Sequence, residues 1–168
     1  LGMLDAQHTA PVLSAVNQIF AVSGSCALTT ADQIAVAEAK GFQILDLDAS
    51  TATDQRRLAA EMGFIQAECL SLLSQGHDVL VTTARGPDDP MVARLAEAIS
   101  TSRATSSDVN ARLGTALGQL VSDIRRKTKM QRIAISGGDT SGHALTQLGA
   151  HALSAVAPLA PGAPLCRV

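Results

Sequence analysis

Residues 132–142, with the sequence RIAISGGDTSG, change character at their midpoint. The first five residues have a short apolar run at their centre, Ile133–Ile135, which is typical of a strand buried on both faces of a sheet. The second half is rich in glycine and hydroxyl side chains, and a helix is predicted to follow it to about Leu148. A buried strand that runs through a glycine-rich turn into a helix is the repeating unit of an α/β fold.

The same order of strand, turn and helix is predicted upstream. The apolar run Asn17–Val22 predicts a buried strand that ends at a Ser-Gly-Ser turn. Thr30–Gln33 fits a capping box, which opens an alanine-rich helix to about Lys40, with Gly41 as its stop. Phe42–Leu47 predicts the next strand.

A long amphipathic helix is predicted from about Asp54 to Gln75. Its apolar residues recur every three or four positions and therefore share one helix face. They are Leu58, Met62, Ile65, Cys69, Leu72 and Leu73.

The remaining elements continue the alternation. Asp78–Thr83 predicts a strand, and Met91–Ile99 predicts a helix. Another helix is predicted from Asp108 to about Ile124. The tail after His151 is rich in Ala, Pro and Gly, and an edge strand is predicted at Ala152–Ala157.

Continuous apolar strands between amphipathic helices predict a mostly parallel sheet covered by helices on both faces, in a Rossmann-like three-layer α/β fold. Residues 1–15 are predicted to be a linker or the remnant of a preceding region, and residues 16–168 one domain. The ligand of such a fold binds beyond the carboxyl ends of the strands. The loops predicted there are Ser23–Thr29, Thr83–Pro90 and Gly137–Gly142.

Composition excludes several functional classes. Three Phe, no Tyr and no Trp among 168 residues argue against a base-stacking nucleic-acid platform. The net charge is −2, and the basic run Arg125–Lys127 is typical of a solvated helix end. No apolar run reaches membrane-spanning length. Three cysteines without metal-ligand spacing indicate a reducing compartment, so we expect a cytoplasmic protein without a structural metal.

The segment GGDTSG, residues 137–142, is the strongest candidate site. Glycines let a ligand approach the backbone, and the free N–H groups of the following helix favour an anion such as phosphate. Asp139 is positioned either to cap the helix or to face a Mg²⁺ carried by a nucleotide. Thr140 and Ser141 offer hydroxyls to phosphate or metal. The alternative interpretation is a tight turn with an N-cap residue.

Three common motifs are absent from this segment. His143 and Ala144 stand where a P-loop has Lys and Ser or Thr. The glycines do not spell the dinucleotide fingerprint GxGxxG, and the serine is one place late for a GxSxG nucleophile elbow.

Other residues are weaker candidates. Ser25 lies in the polar loop Ser23–Cys26 after the first strand, and the hydroxyls of this loop and of Thr29 and Thr30 are candidates to bind phosphate or ribose. Arg85 lies just past a later strand, where it contacts either a phosphate or only solvent. Cys26 is interpreted as a small buried thiol rather than a nucleophile. His143 is interpreted as structural or solvent-facing rather than as a proton shuttle.

Five segments together resemble the C-terminal nucleotide-binding domain of the four-carbon acid sugar kinases. They occur in the family's order over about residues 20–165, nearly the whole chain. They are VSGSC at 22–26, TADQ at 30–33, TTARGP at 82–87, SGGDTSG at 136–142 and LAPGAPL at 159–165.

The resemblance implies a kinase that uses ATP with Mg²⁺ to phosphorylate threonate, erythronate or 3-oxo-tetronate-like acids. It implies ATP contacts at Ser25, Gly137, Gly138, Asp139 and Thr140, and leaves the catalytic residue unassigned. The sugar acid is expected to bind an N-terminal domain that is not in this chain, and a glycine-containing segment expected after Val168 would complete the nucleotide site. The chain alone is therefore expected to be inactive.

Two other functions stay open at this point. One is a non-catalytic nucleotide-sensing or interaction domain that keeps the fold. The other is a nicotinamide-dependent oxidoreductase domain, which the missing fingerprint disfavours. Homo-oligomer formation is left open, and neither a nucleic acid nor a membrane is an expected partner.

Overall fold

The structure, a computed structural model, describes residues 14–168. The linker predicted at 1–15 lies almost wholly outside the described residues. In chain order the elements are β1 (Phe20–Ser23), α1 (Leu28–Ala39), β2 (Gln43–Asp46), a 3₁₀ helix (Ala49–Thr53), α2 (Gln55–Ser74), β3 (Val79–Thr82), α3 (Pro90–Thr101), α4 (Ser106–Thr128), β4 (Ile133–Ser136), α5 (Gly138–Gln147), β5 (Ser154–Ala160) and β6 (Ala163–Arg167).

A four-stranded parallel sheet organises residues 16–149, with the strand order β2-β3-β1-β4. Phe20 of β1 is in register with Val79 of β3 on one side and with Ile133 of β4 on the other. The central strands β1 and β3 are buried along their whole length, as expected for apolar strands covered on both faces. The predicted α/β class with a parallel, helix-covered sheet is confirmed.

The two faces of this sheet pack against different helices. Phe20, Val22 and the equivalent β3 residues face a large apolar cluster that includes Ile65 of α2 and Leu117 of α4. On the opposite face, Ala21 and Leu80 pack against Ile34 of α1. Helix α1 is therefore separated by the sheet from α2 and α4.

Helices α4 and α5 approach closely through glycine. A Cβ on Gly118 would lie 2.8 Å from the carbonyl oxygen of His143, and one on Gly114 would overlap the ring of the same histidine. The small residues let the two helices come nearly into backbone contact, which fixes the direction of α5 as it leaves β4.

Residues 150–168 form a separate unit, a two-stranded antiparallel hairpin of β5 and β6. The edge strand predicted at 152–157 is found at Ser154–Ala160, but it pairs with β6 in a sheet of its own. Strand β6 was not predicted, because prolines at 161 and 164 disfavour a strand in the sequence pattern. The prediction of one domain over 16–168 stays a prediction.

One predicted helix cap is wrong. Helix α1 begins at Leu28, and its N-cap is Ala27, which has no capping side chain. Thr30 lies inside the first turn and is buried, so the predicted capping box is wrong. A capping box does occur at α4, where Thr105 and Asp108 exchange hydrogen bonds.

No helix within residues 14–168 is long and apolar enough to cross a membrane.

Candidate functional site

Two loops meet at the carboxyl edge of the sheet, because β1 and β4 are parallel neighbours. Ser23 is in register with Ser136, and the Gly24 N–H donates a hydrogen bond to the Ser136 carbonyl at 3.1 Å. From there the chain leaves β1 towards α1 on one face and leaves β4 towards α5, whose Leu148 packs into the cluster on the other face. Adjacent strands whose connections depart to opposite faces define the crevice in which α/β sheets bind ligands.

The N-terminus of α5 opens into this crevice. Gly137 is the N-cap, with a φ of +107° that favours glycine, and no side chain caps the helix. The first bond of the helix runs from the Ser141 N–H to the Gly137 carbonyl at 2.9 Å. The N–H groups of residues 138–140 therefore have no acceptor among residues 14–168. Such an array, at the positive end of the helix dipole, is suited to an anion.

Thr140 lies at the junction of the two loops. It is 5% exposed, and its hydroxyl oxygen fills the space beside Gly24. A Cβ on Gly137 would lie 3.2 Å from the same oxygen and 3.6 Å from the backbone nitrogen of Ser25. The Thr140 hydroxyl makes no hydrogen bond with another residue of the described chain, which leaves it available to a ligand in the crevice.

Ser25 is half-buried on the β1 side of the crevice. Its hydroxyl lies 2.9 Å from that of Thr30 and accepts a hydrogen bond from the Ala27 N–H at 3.3 Å. Its backbone N–H points to the Ser23 hydroxyl at 3.4 Å. The loop that carries Ser25 is thus folded onto the start of α1.

The structure brings together Ser25, Gly137 and Thr140, as these contacts show. The other two predicted residues, Gly138 and Asp139, are exposed in the first turn of α5, so all five predicted residues lie around one crevice. Asp139 is not the cap of α5, because that position belongs to Gly137. Its carboxylate interacts favourably with the positive end of the helix dipole. It also repels an anion bound at that end, unless a cation lies between them.

The described residues do not form a site that could hold a metal ion by protein ligands alone. Residues 14–168 contain no group of three or more His, Cys, Asp or Glu side chains placed to hold an ion. A single carboxylate such as Asp139 suits Mg²⁺ only when phosphate oxygens and waters supply the other ligands.

Arg85 is held away from the crevice. Its guanidinium donates two bonds of 2.8 Å to Asp46, at the end of β2, and one of 3.1 Å to Glu38. The Asp46 hydrogen bonds, with a smaller contribution from Glu38, raise the pKa of the arginine further. Since β2 and β4 are the two outer strands of the sheet, the structure favours the surface alternative for this side chain over a phosphate contact.

His143 and Cys26 have simple environments. The His143 ring packs on Gly114, and its Nδ1 lies 3.4 Å from the Thr115 hydroxyl, which agrees with the structural interpretation of this residue. Cys26 is exposed. The prediction that it is a small buried thiol is wrong, because α1 starts two residues later and leaves Cys26 in the loop above the sheet edge.

Sequence reasoning placed Gly24 and Thr30 in the polar loop after the first strand, but it did not predict the contacts that these two residues make. Gly24 is required by the close approach of Thr140, and Thr30 contacts Ser25 rather than capping its helix. A glycine directly after a buried strand was the available signal for Gly24. For Thr30 the capping-box pattern gave a competing interpretation.

Comparisons with known proteins agree with this geometry. The chain is 38% identical to a 3-oxo-isoapionate kinase of Paraburkholderia graminis over 166 residues, which cover 99% of this chain and 35% of that protein. A crystal structure from Bordetella bronchiseptica, described as a domain of unknown function in a citrate-bound, domain-swapped dimer, matches with a TM-score of 0.63 at 18% identity. That match covers 89% of this chain and 33% of the other, and it shows a shared fold.

The chain thus spans about a third of the length of each protein it matches. The family model described as "nucleotide-binding C-terminal domain" matches residues 20–168, which include both loops of the crevice. On that match the chain belongs to the family of nucleotide-binding C-terminal domains, as its sequence segments predicted.

Proposed function

We propose that this chain is the ATP-binding domain of a kinase that phosphorylates a four-carbon sugar acid of the threonate, erythronate or 3-oxo-tetronate type. The observation that carries the proposal is the crevice between β1 and β4. There the N-terminus of α5 has no capping side chain, and the Thr140 hydroxyl, which has no hydrogen-bond partner among residues 14–168, lies against Gly24 and Gly137. A kinase named among the relatives supports the reaction class.

Phosphate groups would be held mainly by backbone. The N–H groups of residues 138–140 point out of the helix. A Cβ on Gly138 would meet nothing within 4 Å beyond its chain neighbours and the backbone of its own helix. An anion can therefore come close to the helix end from that side. Hydroxyls of Ser25 and Thr140 would add hydrogen bonds from the two walls of the crevice.

Asp139 would act through Mg²⁺ bound to the nucleotide. In phosphoryl transfer the metal neutralises charge on the phosphate oxygens, and the transferred group comes from ATP. An exposed carboxylate beside the phosphate site can hold the metal through water or directly. Without the metal the same carboxylate would repel a polyphosphate.

Among the described residues, the crevice shows no site for the sugar acid that accepts the phosphoryl group. Asp88 and Asp89 form an acidic pair in the loop after β3, but Asp89 caps α3 and accepts hydrogen bonds from the N–H groups of Met91 and Arg85. These hydrogen bonds, that of Met91 foremost, lower the pKa of Asp89, which makes it a poor proton acceptor. We therefore assign the sugar acid and the catalytic base to another domain of a longer protein.

Binding experiments test the nucleotide assignment. We expect the chain to bind MgATP in calorimetry with a Kd of roughly 0.1 to a few mM, because a cleft with one wall missing loses part of its binding energy. NAD should bind far more weakly. Equal or tighter binding of NAD would contradict the proposal and favour an oxidoreductase.

Turnover experiments test the reaction. With threonate, erythronate or 3-oxo-isoapionate, the chain alone should release no ADP in a coupled assay. The same chain within its full-length protein should do so with one of these acids, since closure of two domains completes the site. ATP binding without turnover in the full-length protein would favour a nucleotide-sensing domain instead.

A cytoplasmic location and homo-oligomer formation stay predictions, the latter supported by the dimer in the related structure.

A further inference from the structure

We propose that Thr30 is a positioning residue that orients the Ser25 hydroxyl as a hydrogen-bond donor to the nucleotide; this inference rests on the proposed function. Thr30 is 6% exposed, and its hydroxyl lies 2.9 Å from that of Ser25. No other residue of the described chain hydrogen-bonds to that Thr30 hydroxyl.

The number of hydrogens and lone pairs on the two hydroxyls determines which of them must donate in the Thr30–Ser25 bond. A hydroxyl has one hydrogen to donate and two lone pairs to accept. The Ala27 N–H already donates to the Ser25 oxygen at 3.3 Å. If Thr30 also donates to Ser25, both lone pairs of Ser25 are occupied, and its own hydrogen is left for an anion in the crevice. If Ser25 donates to Thr30 instead, Ser25 has no hydrogen to offer.

An anionic ligand selects the first arrangement. A phosphate oxygen is a strong acceptor, so a Ser25 hydrogen directed at it forms a charge-assisted bond. Thr30, which is buried and has no other acceptor, can still use its hydrogen on Ser25. Thr30 then donates to Ser25, and Ser25 donates to the phosphate, so the bond from Thr30 fixes the orientation of the Ser25 hydroxyl. Hydrogen bonds in such chains strengthen one another.

The chain provides a matched set of variants for this inference. Thr30→Val keeps the shape of the side chain and removes the hydroxyl, whereas Thr30→Ser keeps the hydroxyl. Ser25→Ala removes the group on which Thr30 is argued to act.

The experiment measures MgATP affinity by calorimetry and the melting temperature for each variant and for the double variant Ser25→Ala with Thr30→Val. We expect Thr30→Val to weaken MgATP binding roughly three- to tenfold, the effect of one hydrogen bond. Thr30→Ser should bind like the parent. In the Ser25→Ala background, Thr30→Val should cause no further loss.

Three results would overturn the inference while leaving the proposed function intact. They are parent-like binding by Thr30→Val, an equal loss in the presence and absence of Ser25, and a loss that follows a fall in melting temperature and is not rescued by Thr30→Ser. Failure of the parent chain to bind MgATP at all would instead overturn the proposed function, and the inference with it.

Discussion

The hydroxyl oxygen of Thr140, in the first turn of α5, occupies the space that a side chain on Gly24 would need. Gly24 does not have a positive φ, so its backbone conformation is open to any residue. Its lack of a side chain matters because the loop after β1 and the helix after β4 meet there. The contact therefore joins the two loops that border the crevice.

We predict that Gly24→Ala destabilises the fold by about 1–3 kcal/mol, the usual cost of overpacking a tight contact. Adding Thr140→Ala should relieve the overlap. The double variant should therefore be less destabilised than the sum of the single variants, by about 1 kcal/mol or more. Free energies of unfolding from denaturant titration measure this coupling.

Gly63→Ala is the control for this pair. A Cβ at Gly63, which lies in α2, meets no atom within 4 Å. Because alanine favours the helix, this change should be neutral or stabilise by roughly 0.5–1 kcal/mol. Purely additive effects of Gly24→Ala and Thr140→Ala would contradict the proposed contact.

Two cysteines should differ sharply in reactivity. Burial raises the pKa of the Cys69 thiol from the ordinary 9.0 to about 12. Since only the thiolate reacts, a disulfide reagent at mildly alkaline pH should label Cys26, which is exposed, and spare Cys69 in the native state. Mass spectrometry of labelled peptides shows which thiol has reacted, and labelling of Cys69 before unfolding would contradict the structure.

The same shift has a consequence for stability. The unfolded chain releases the Cys69 proton near 9.0, while the folded chain holds it to about 12. The stability that Cys69 contributes is therefore complete below the lower value and is lost as the pH rises through the higher one. The difference in unfolding free energy between the parent and Cys69→Ala should shrink over this range, and a constant difference would contradict it.

The sheet and its long helices were predictable because their signals are local. The apolar positions of α2 recur at helical spacing, and Leu58, Ile65, Cys69 and Leu73 are indeed buried. The place of the candidate site followed from the rule that ligands bind at the carboxyl ends of parallel strands. The first inference needs only the local spacing of apolar residues, and the second needs only the order of elements along the chain.

Side-chain partners were not predictable, because they depend on strand order. The sequence placed Arg85 after β3, but only the position of β2 next to β3 shows that Asp46 holds it. Likewise, the contact of Thr140 with Gly24 requires β4 to lie beside β1, and no local pattern encodes that pairing. Thr30 was misassigned because a capping-box pattern and a tertiary hydrogen bond use the same side chain.

Gly138 offers a test of ligand approach that is separate from packing. It has no protein neighbour near a Cβ position, and its φ is not positive, so Gly138→Ala should leave the melting temperature nearly unchanged. If phosphate binds at the helix end, the added methyl group should weaken MgATP binding at least roughly tenfold, and Gly138→Val should abolish it.

Gly142→Ala is the matched control, since Gly142 lies one turn further along α5 and a Cβ there also meets no atom within 4 Å. It should bind MgATP like the parent. Parent-like binding by Gly138→Val, measured by calorimetry, would mean that the loop is only a turn.

Asp139→Asn should separate the two electrostatic effects expected of this carboxylate. With Mg²⁺ present, the variant should bind ATP more weakly, by roughly three- to tenfold, because a charged ligand for the metal is lost. With EDTA it should bind ATP as well as the parent or better, because the negative charge beside the free N–H groups is removed.

The parent chain without nucleotide should bind Mg²⁺ only weakly, since one carboxylate does not form an ion cage. Calorimetry with ATP in both conditions, and with Mg²⁺ alone, tests all three statements. Tight Mg²⁺ binding to the nucleotide-free chain, or a loss of ATP affinity that is the same with and without the metal, would show that Asp139 does not act through nucleotide-bound Mg²⁺.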